Sequence, residues 1–117
     1  MEKVGRSTDE LLAVWGDRIG RFTDGKSVDE FLGNEILQLA VSKCIEAIGE
    51  ASGNILRVHP GFDDEHPELE LAEAYRMRNR LAHGYDTIDW LVVWDTATVY
   101  IPNLVTHIRA IVSRDNG

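Results

Sequence analysis

The sequence is poor in several things at once, and each shortage narrows what it can be. Among 117 residues there is one cysteine, Cys44, so no internal disulfide can form. Set among apolar neighbours, Cys44 reads as a small buried hydrophobe in a reducing compartment, and the expected location is cytoplasmic. Three prolines and no biased tract exclude collagen-like and low-complexity classes, and the ordinary apolar content of 44% excludes disorder. No window approaches the roughly 18 uninterrupted apolar residues that a membrane span needs, so no membrane association is expected. Met1-Glu2-Lys3-Val4-Gly5-Arg6 leads into no apolar stretch of the kind a secretory signal carries. Positive charge is scarce too: 12 Lys and Arg against 20 Asp and Glu give a net charge of −8. Such a chain is a poor general nucleic-acid binder, because non-specific affinity comes from neutralising phosphates. A nucleic-acid function therefore requires a local basic cluster.

What the chain does have is helical period. Ser7 or Thr8 can cap a first helix to about Phe22, with Leu11, Leu12, Trp15, Ile19 and Phe22 spaced by three and four. Thr23-Asp24-Gly25-Lys26 is a turn, and Ser27 with Glu30 forms a capping box that starts a second helix. That helix extends to about Ser52 through Phe31, Leu32, Ile36, Leu39, Ala40, Ile45, Ala47 and Ile48. Its apolar positions cover more than one stripe, as expected of a central helix packed on several sides. From Gly53 to Pro67 the pattern fails, which marks the one long connector. Pro67 suits the first turn of a third helix, with Glu68, Glu70 and Glu73 at its positive end and Gly84 as its stop. Asp86 or Thr87 caps a last helix over roughly Ile88 to Ser113, and Pro102 should kink or break it near Tyr100. Its seam is Trp90, Val93, Trp94, Ala97, Ile101, Leu104, Ile108 and Ile111. Leu91-Val92-Val93-Trp94 resembles a strand in isolation, but the helical period continues on both sides. The expected architecture is an all-α bundle of four or five helices, one domain over 1–117 with its core in about 8–112.

The basic cluster lies in Tyr75-Arg76-Met77-Arg78-Asn79-Arg80-Leu81-Ala82-His83-Gly84-Tyr85. At 100° per residue, Arg76, Asn79, Arg80 and His83 share one face, and Leu71, Ala74, Tyr75, Arg78, Leu81 and Ala82 share the other. Arg78 thus falls on the apolar stripe. An arginine there must find a carboxylate, a phosphate or a partner surface, because an unpaired buried charge is very costly. Glu46 or Glu50 on the second helix can supply the carboxylate, and Arg76 and Arg80 can equally be a solvated face. Metal chemistry has little support in the pattern. His59, His66, His83 and His107 form no His-x-x-x-His pair, one cysteine makes no zinc cage, and Asp63-Asp64-Glu65 lacks the alternation of a calcium loop. No Gly-rich phosphate loop follows a strand. His107, beside Ile108, reads as a surface or satisfied core histidine.

Arg78, four residues opening with Asn79, His83, one residue and Tyr85 together resemble the signature of the HEPN superfamily of small helical domains. More narrowly they resemble the HepT-like toxin group. Thr23-Asp24-Gly25-Lys26-Ser27 before Phe31-Leu32, Ile48-Gly49-Glu50-Ala51, Asp89-Trp90 through Trp94, and Pro102 with Leu104 are similar to that group as well. The likeness covers about residues 8 to 112. It departs in the segment before the motif, where members often carry a proline–tryptophan pair and this chain has Pro67-Glu68-Leu69-Glu70-Leu71.

The resemblance implies a ribonuclease toxin that acts as a homodimer without metal or other cofactor, two motifs facing across a cleft. It implies as partner a minimal nucleotidyltransferase antitoxin, which transfers AMP to the motif tyrosine, here Tyr85. Arg78 and His83 are then the catalytic residues, with Asn79, Glu50, Arg76 and Arg80 in support. The residue types suit that chemistry. Metal-free RNA cleavage needs a proton acceptor, a proton donor and a cation at the phosphorane oxygens. Histidine titrates nearest neutrality, and arginine offers a planar fork of donors matched to phosphate. Asn79 can orient the histidine or the phosphate. Arg78 and His83 lie about 140° apart on an ideal helix, so fraying at Gly84 or a two-fold axis must bring them together. Two alternatives stand beside this: a non-catalytic module that binds nucleotide or RNA or assists a nucleotidyltransferase, and a dimeric scaffold in which Arg78 only satisfies Glu50.

Overall fold

Ser27 shows local chemistry dictating structure most directly. Its hydroxyl accepts from the Glu30 N–H at 3.1 Å, while the Glu30 carboxylate accepts from the Ser27 N–H at 3.0 Å. This is the expected capping box. The structure, a computed structural model, describes residues 2–116, with side chains for residues 10–84 and 86–114. Before the box runs α1 (Glu2–Thr23), which begins ahead of the predicted Ser7 or Thr8. After it comes α2 (Val28–Leu32), a single turn.

The predicted second helix is in fact two. Gly33 and Asn34 interrupt it, and α3 (Glu35–Val58) starts afresh with the Asn34 side chain accepting from the Leu37 N–H at 3.0 Å. The Gln38 amide donates to the carbonyls of Phe31 and Leu32, at 3.0 and 3.1 Å, satisfying the end that the break exposes. At its other end α3 runs past Ser52 and Gly53 to Val58, so the long connector shrinks. It holds α4 (Phe62–Glu65) and a 3₁₀ turn at Pro67–Leu69. Consequently α5 (Leu71–His83) begins at Leu71 and not at Pro67, after Glu70 takes a left-handed φ of 50°.

The last helix starts later than expected. Asp86 and Thr87 belong to a 3₁₀ turn, Tyr85–Thr87, and the cap is Asp89, whose carboxylate accepts from the Leu91 N–H at 3.0 Å. From there α6 (Trp90–Asp95), a π turn (Thr96–Tyr100) and α7 (Ile101–Asn116) follow without interruption. The predicted disturbance near Tyr100 is this π turn: Pro102 has no N–H to donate, and the Ile101 N–H reaches back to the Thr96 carbonyl. The helix is re-phased there and does not break.

Tertiary packing places α3 between α1 and α5, as a helix with more than one apolar stripe requires, while α7 lies on α1. Val41, Cys44, Ile45, Ile48 and Ile55 of α3 are buried with Leu12 and Ile19 of α1 and Leu71, Ala74, Met77 and Leu81 of α5. Val93, Ala97, Ile101, Leu104, Ile108 and Ile111 close the core, as the seam predicts. Trp90 and Trp94 are half-buried and pack on Phe31, with ring centroids 6.0 and 5.1 Å away. Leu11, Phe22, Leu32, Ile36 and Leu39, expected in the core, are exposed instead. Burial pushes the Cys44 thiol up against the opposing pull of Arg18, Arg21 and Lys43, in keeping with an inert buried hydrophobe. The described residues contain no strand. The chain is an all-α bundle.

Candidate active site

Helix α5 carries the basic cluster, and its N-terminal end is held from outside. The N–H groups of Leu71 and Ala72, which have no partner within the helix, donate to the two carboxylate oxygens of Asp63, each at 3.1 Å. The Tyr100 hydroxyl donates to the carbonyls of Leu69 at 2.6 Å and Glu70 at 3.1 Å, which fixes the left-handed turn. Burial raises the Tyr100 phenol above its ordinary pKa, and the carboxylates of Glu70, Asp63 and Glu73 push the same way. Of Glu68, Glu70 and Glu73 only Glu73 lies in the first turn of α5, and the carboxylate that caps the helix is Asp63, eight residues before Leu71.

One and a half turns on, two glycines of α3 set how closely α5 approaches. A Cβ built on Gly49 would overlap the Arg78 Cβ and lie 2.7 Å from the Ala74 carbonyl. A Cβ on Gly53 would lie 2.5 Å from the Tyr75 ring. With Gly49 beneath its stem, the Arg78 side chain reaches along α3, and its Nη2 meets the Glu50 carboxylate at 3.1 Å. Its Nη1 donates to the Asn79 side-chain oxygen at 3.0 Å. The pair is not sequestered: the Arg78 side chain is 31% exposed and that of Glu50 56%. An ion pair so wet contributes about 0.2 to 1 kcal/mol, so burial cost alone does not explain why an arginine stands here. Glu50, not Glu46, is the partner. Asn79 orients the guanidinium, and no hydrogen bond joins it to the histidine.

The other members of the cluster part company. Arg76 is committed locally to Glu73, its Nε donating at 2.9 Å. Arg80 is exposed and has no carboxylate partner among the described residues, and it edges a groove of about 310 Å³ with Met77, Leu81, Ile88, Val92 and Val93. His83 is exposed in the last turn of α5 and makes no hydrogen bond to a described residue. That turn is closed by the Gly84 N–H on the Arg80 carbonyl at 2.8 Å, so no fraying carries His83 toward Arg78. Gly84 ends the helix as expected, but at φ −130° and without the left-handed conformation a glycine stop implies. Tyr85 opens the following turn, and its side chain lies outside the described residues. His107 is exposed, its ring nitrogen 2.8 Å from the Asn103 carbonyl. Among the described residues no three His, Cys, Asp or Glu side chains gather to hold a metal ion.

Asp63, Tyr100 and Gly53 do not read from the sequence alone as parts of this site, and the close approach at Gly49 is not visible there. The signal the sequence holds is the spacing, because glycines four positions apart share one face once the helix continues through both. The bonds from Asp63 and Tyr100 left no signal, because they depend on contacts that only folding creates.

The fold and α5 together define a class: a small helical bundle whose arginine, asparagine and histidine sit on one helix against a glycine-faced neighbour. The family described as "Ribonuclease HepT-like" matches residues 16–111, and the chain belongs to it. The "Probable ribonuclease HepT" of Thermococcus cleftensis is 40% identical over 104 residues, covering 89% of this chain and 92% of that one. "Putative RNase MJ1216" of Methanocaldococcus jannaschii is 32% identical over 101 residues, covering 86% and 81%. No solved structure matches the chain.

Proposed function

We propose that the protein is a metal-independent endoribonuclease, the toxin of a toxin–antitoxin pair, whose site is completed when two copies meet. The observation that carries this is the Arg78 fork. It is pinned by Glu50 and Asn79 yet open to solvent, and it shares α5 with an exposed, unbonded His83. In the reaction the 2′-hydroxyl of RNA loses its proton to a histidine and attacks the adjacent phosphorus. The P–O5′ bond breaks, the leaving oxygen takes up a proton, and a 2′,3′-cyclic phosphate remains. Arg78 donates to the non-bridging oxygens as charge builds on them. The last turn of α5 is closed, so Arg78 and His83 keep their separation of about 140° around one helix. A two-fold axis that set Arg78 of one copy near His83 of the other would let both groups act on one phosphate. Control follows from position: AMP added to Tyr85 by a nucleotidyltransferase antitoxin places a phosphodiester and a base two residues from His83. Its negative charge would occupy donors that the substrate needs.

The test combines activity with mass. Cleavage of single-stranded RNA should persist in EDTA and leave 2′,3′-cyclic ends. His83→Ala and Arg78→Ala should each lower it by about a hundredfold or more while circular dichroism stays native. Full activity in a folded His83→Ala protein rejects the mechanism. A light-scattering mass near the 13.2 kDa of one chain rejects the shared site. A Tyr85→Phe variant should resist silencing by the nucleotidyltransferase, and a silenced variant places the switch elsewhere.

A further inference from the structure

Beside the Arg78–Glu50 pair, α3 and α5 frame a second groove, of about 340 Å³, lined by Glu50, Gly53, Asn54, Leu56, Arg57 and Tyr75. Gly49 and Gly53 are four positions apart and Tyr75 and Arg78 three, so each pair shares one helix face. Gly49 takes the stem of Arg78, and Gly53 takes the ring of Tyr75. The same close approach therefore seats the Tyr75 ring and the Arg78 stem about one helical turn apart on the face of α5 that meets α3. Tyr75 is 41% exposed although it is seated against α3, and its hydroxyl makes no hydrogen bond to a described residue. At the far side Arg57 is exposed, steadied by Asn54, whose side-chain oxygen accepts from Nη2 at 2.7 Å. Glu50 belongs both to this groove and to the Arg78 pair, so the two are continuous.

We propose that this groove is a base-stacking subsite: Tyr75 receives the base of the nucleotide next to the phosphate held by Arg78, and Arg57 receives a further phosphate. The occupant is single-stranded RNA, on the reading given above that RNA is the substrate. Three features argue for it. A half-exposed ring fixed against a glycine is a platform that loses little entropy when a base stacks on it. Cations on both sides of the ring suit a strand that alternates base and phosphate. Leu56 supplies the only aliphatic side chain of the lining, too little for a hydrophobic peptide to bury.

Binding is measured first, with a labelled single-stranded RNA of about ten nucleotides and His83→Ala protein, so that the RNA survives. Tyr75→Leu should weaken binding about tenfold, Tyr75→Phe should restore most of it, and Arg57→Glu should weaken it and flatten its salt dependence. An abasic residue next to the cleavage position should weaken binding to the Tyr75 protein and have little further effect on Tyr75→Leu. Equal binding by the Tyr75 and Tyr75→Leu proteins overturns the subsite, as does an abasic penalty that is the same in both. Cleavage by the wild-type chain separates this from the reading beneath it. Cleavage with Tyr75-independent binding removes the subsite and leaves the nuclease, whereas Tyr75-dependent binding without cleavage leaves the subsite and removes the nuclease.

Discussion

The two ends of α5 are built on opposite plans. Its N-terminal end is bound to distant parts of the chain, with Asp63 of α4 on two of its N–H groups and Tyr100 of the π turn on the carbonyls just before it. Among the described residues its C-terminal end is hydrogen-bonded only locally: the Gly84 N–H returns to Arg80, and Thr87 bonds back to Gly84 through both its N–H and its hydroxyl. The held end fixes the register in which Arg78 and Tyr75 meet the glycines of α3. The self-contained end leaves His83 in solvent, where a second surface can reach it. A helix anchored at one end can thus hold one side chain in a fixed register and leave another open to solvent.

Gly49→Ala should disturb this contrast most, because it lies where the held half of α5 meets α3. The added methyl overlaps Arg78 and the Ala74 carbonyl, and overpacking of this kind costs about 1 to 3 kcal/mol. Gly20→Ala is the control: no atom lies within 4 Å of the new Cβ, and in a helix interior it should be neutral or stabilise by up to about 1 kcal/mol. Urea unfolding of both variants checks the pair, and equal midpoints would deny that close approach is what Gly49 provides.

Next comes Asp63→Ala, which strips α5 of its remote cap and should cost about 0.5 to 2 kcal/mol in the same assay. Tyr100→Phe should cost about 1 kcal/mol at neutral pH. It also carries a pH signature. The folded phenol sits above its ordinary pKa, so the folded state holds the proton more tightly than the unfolded chain. The stabilisation is complete below the unfolded value of about 10 and is lost as pH rises beyond it. Stability should therefore fall above about pH 10 in the wild type, and less steeply in Tyr100→Phe. Parallel alkaline slopes would remove Tyr100 from the anchor. The smallest effect belongs to the other end: Gly84→Ala, whose Cβ would lie 3.3 Å from the Arg80 carbonyl, should shift stability by less than about 0.5 kcal/mol. A loss as large as that of Asp63→Ala would erase the difference between the two ends.

Local sequence carried much of this molecule. The Ser27–Glu30 box needs only residues three apart, and the seam from Val93 to Ile111 needs only a period, so both were legible without a fold. The Arg78, Asn79 and His83 cluster was legible for the same reason, being one helix long. Legibility failed where a single residue had two local options. Gly33-Asn34 reads as a passing irregularity in a long apolar run, yet the asparagine caps better than it propagates. Gly53 reads as the end of a helix, yet α3 continues through it to Val58, and the Tyr75 ring is seated on it.

By itself the sequence determined that the chain is helical, where most of its apolar seams lie, and that its basic cluster falls on one helix, α5. Those are consequences of spacing along a helix, and spacing is written in the chain. Tertiary structure alone decided that Glu50 takes Arg78, that Asp63 and Tyr100 anchor α5, and that the Tyr75 ring is seated on Gly53 of α3. Each of these joins residues on different elements. Which carboxylate meets which arginine depends on how closely and in what register two helices pack, and here two glycines set that distance.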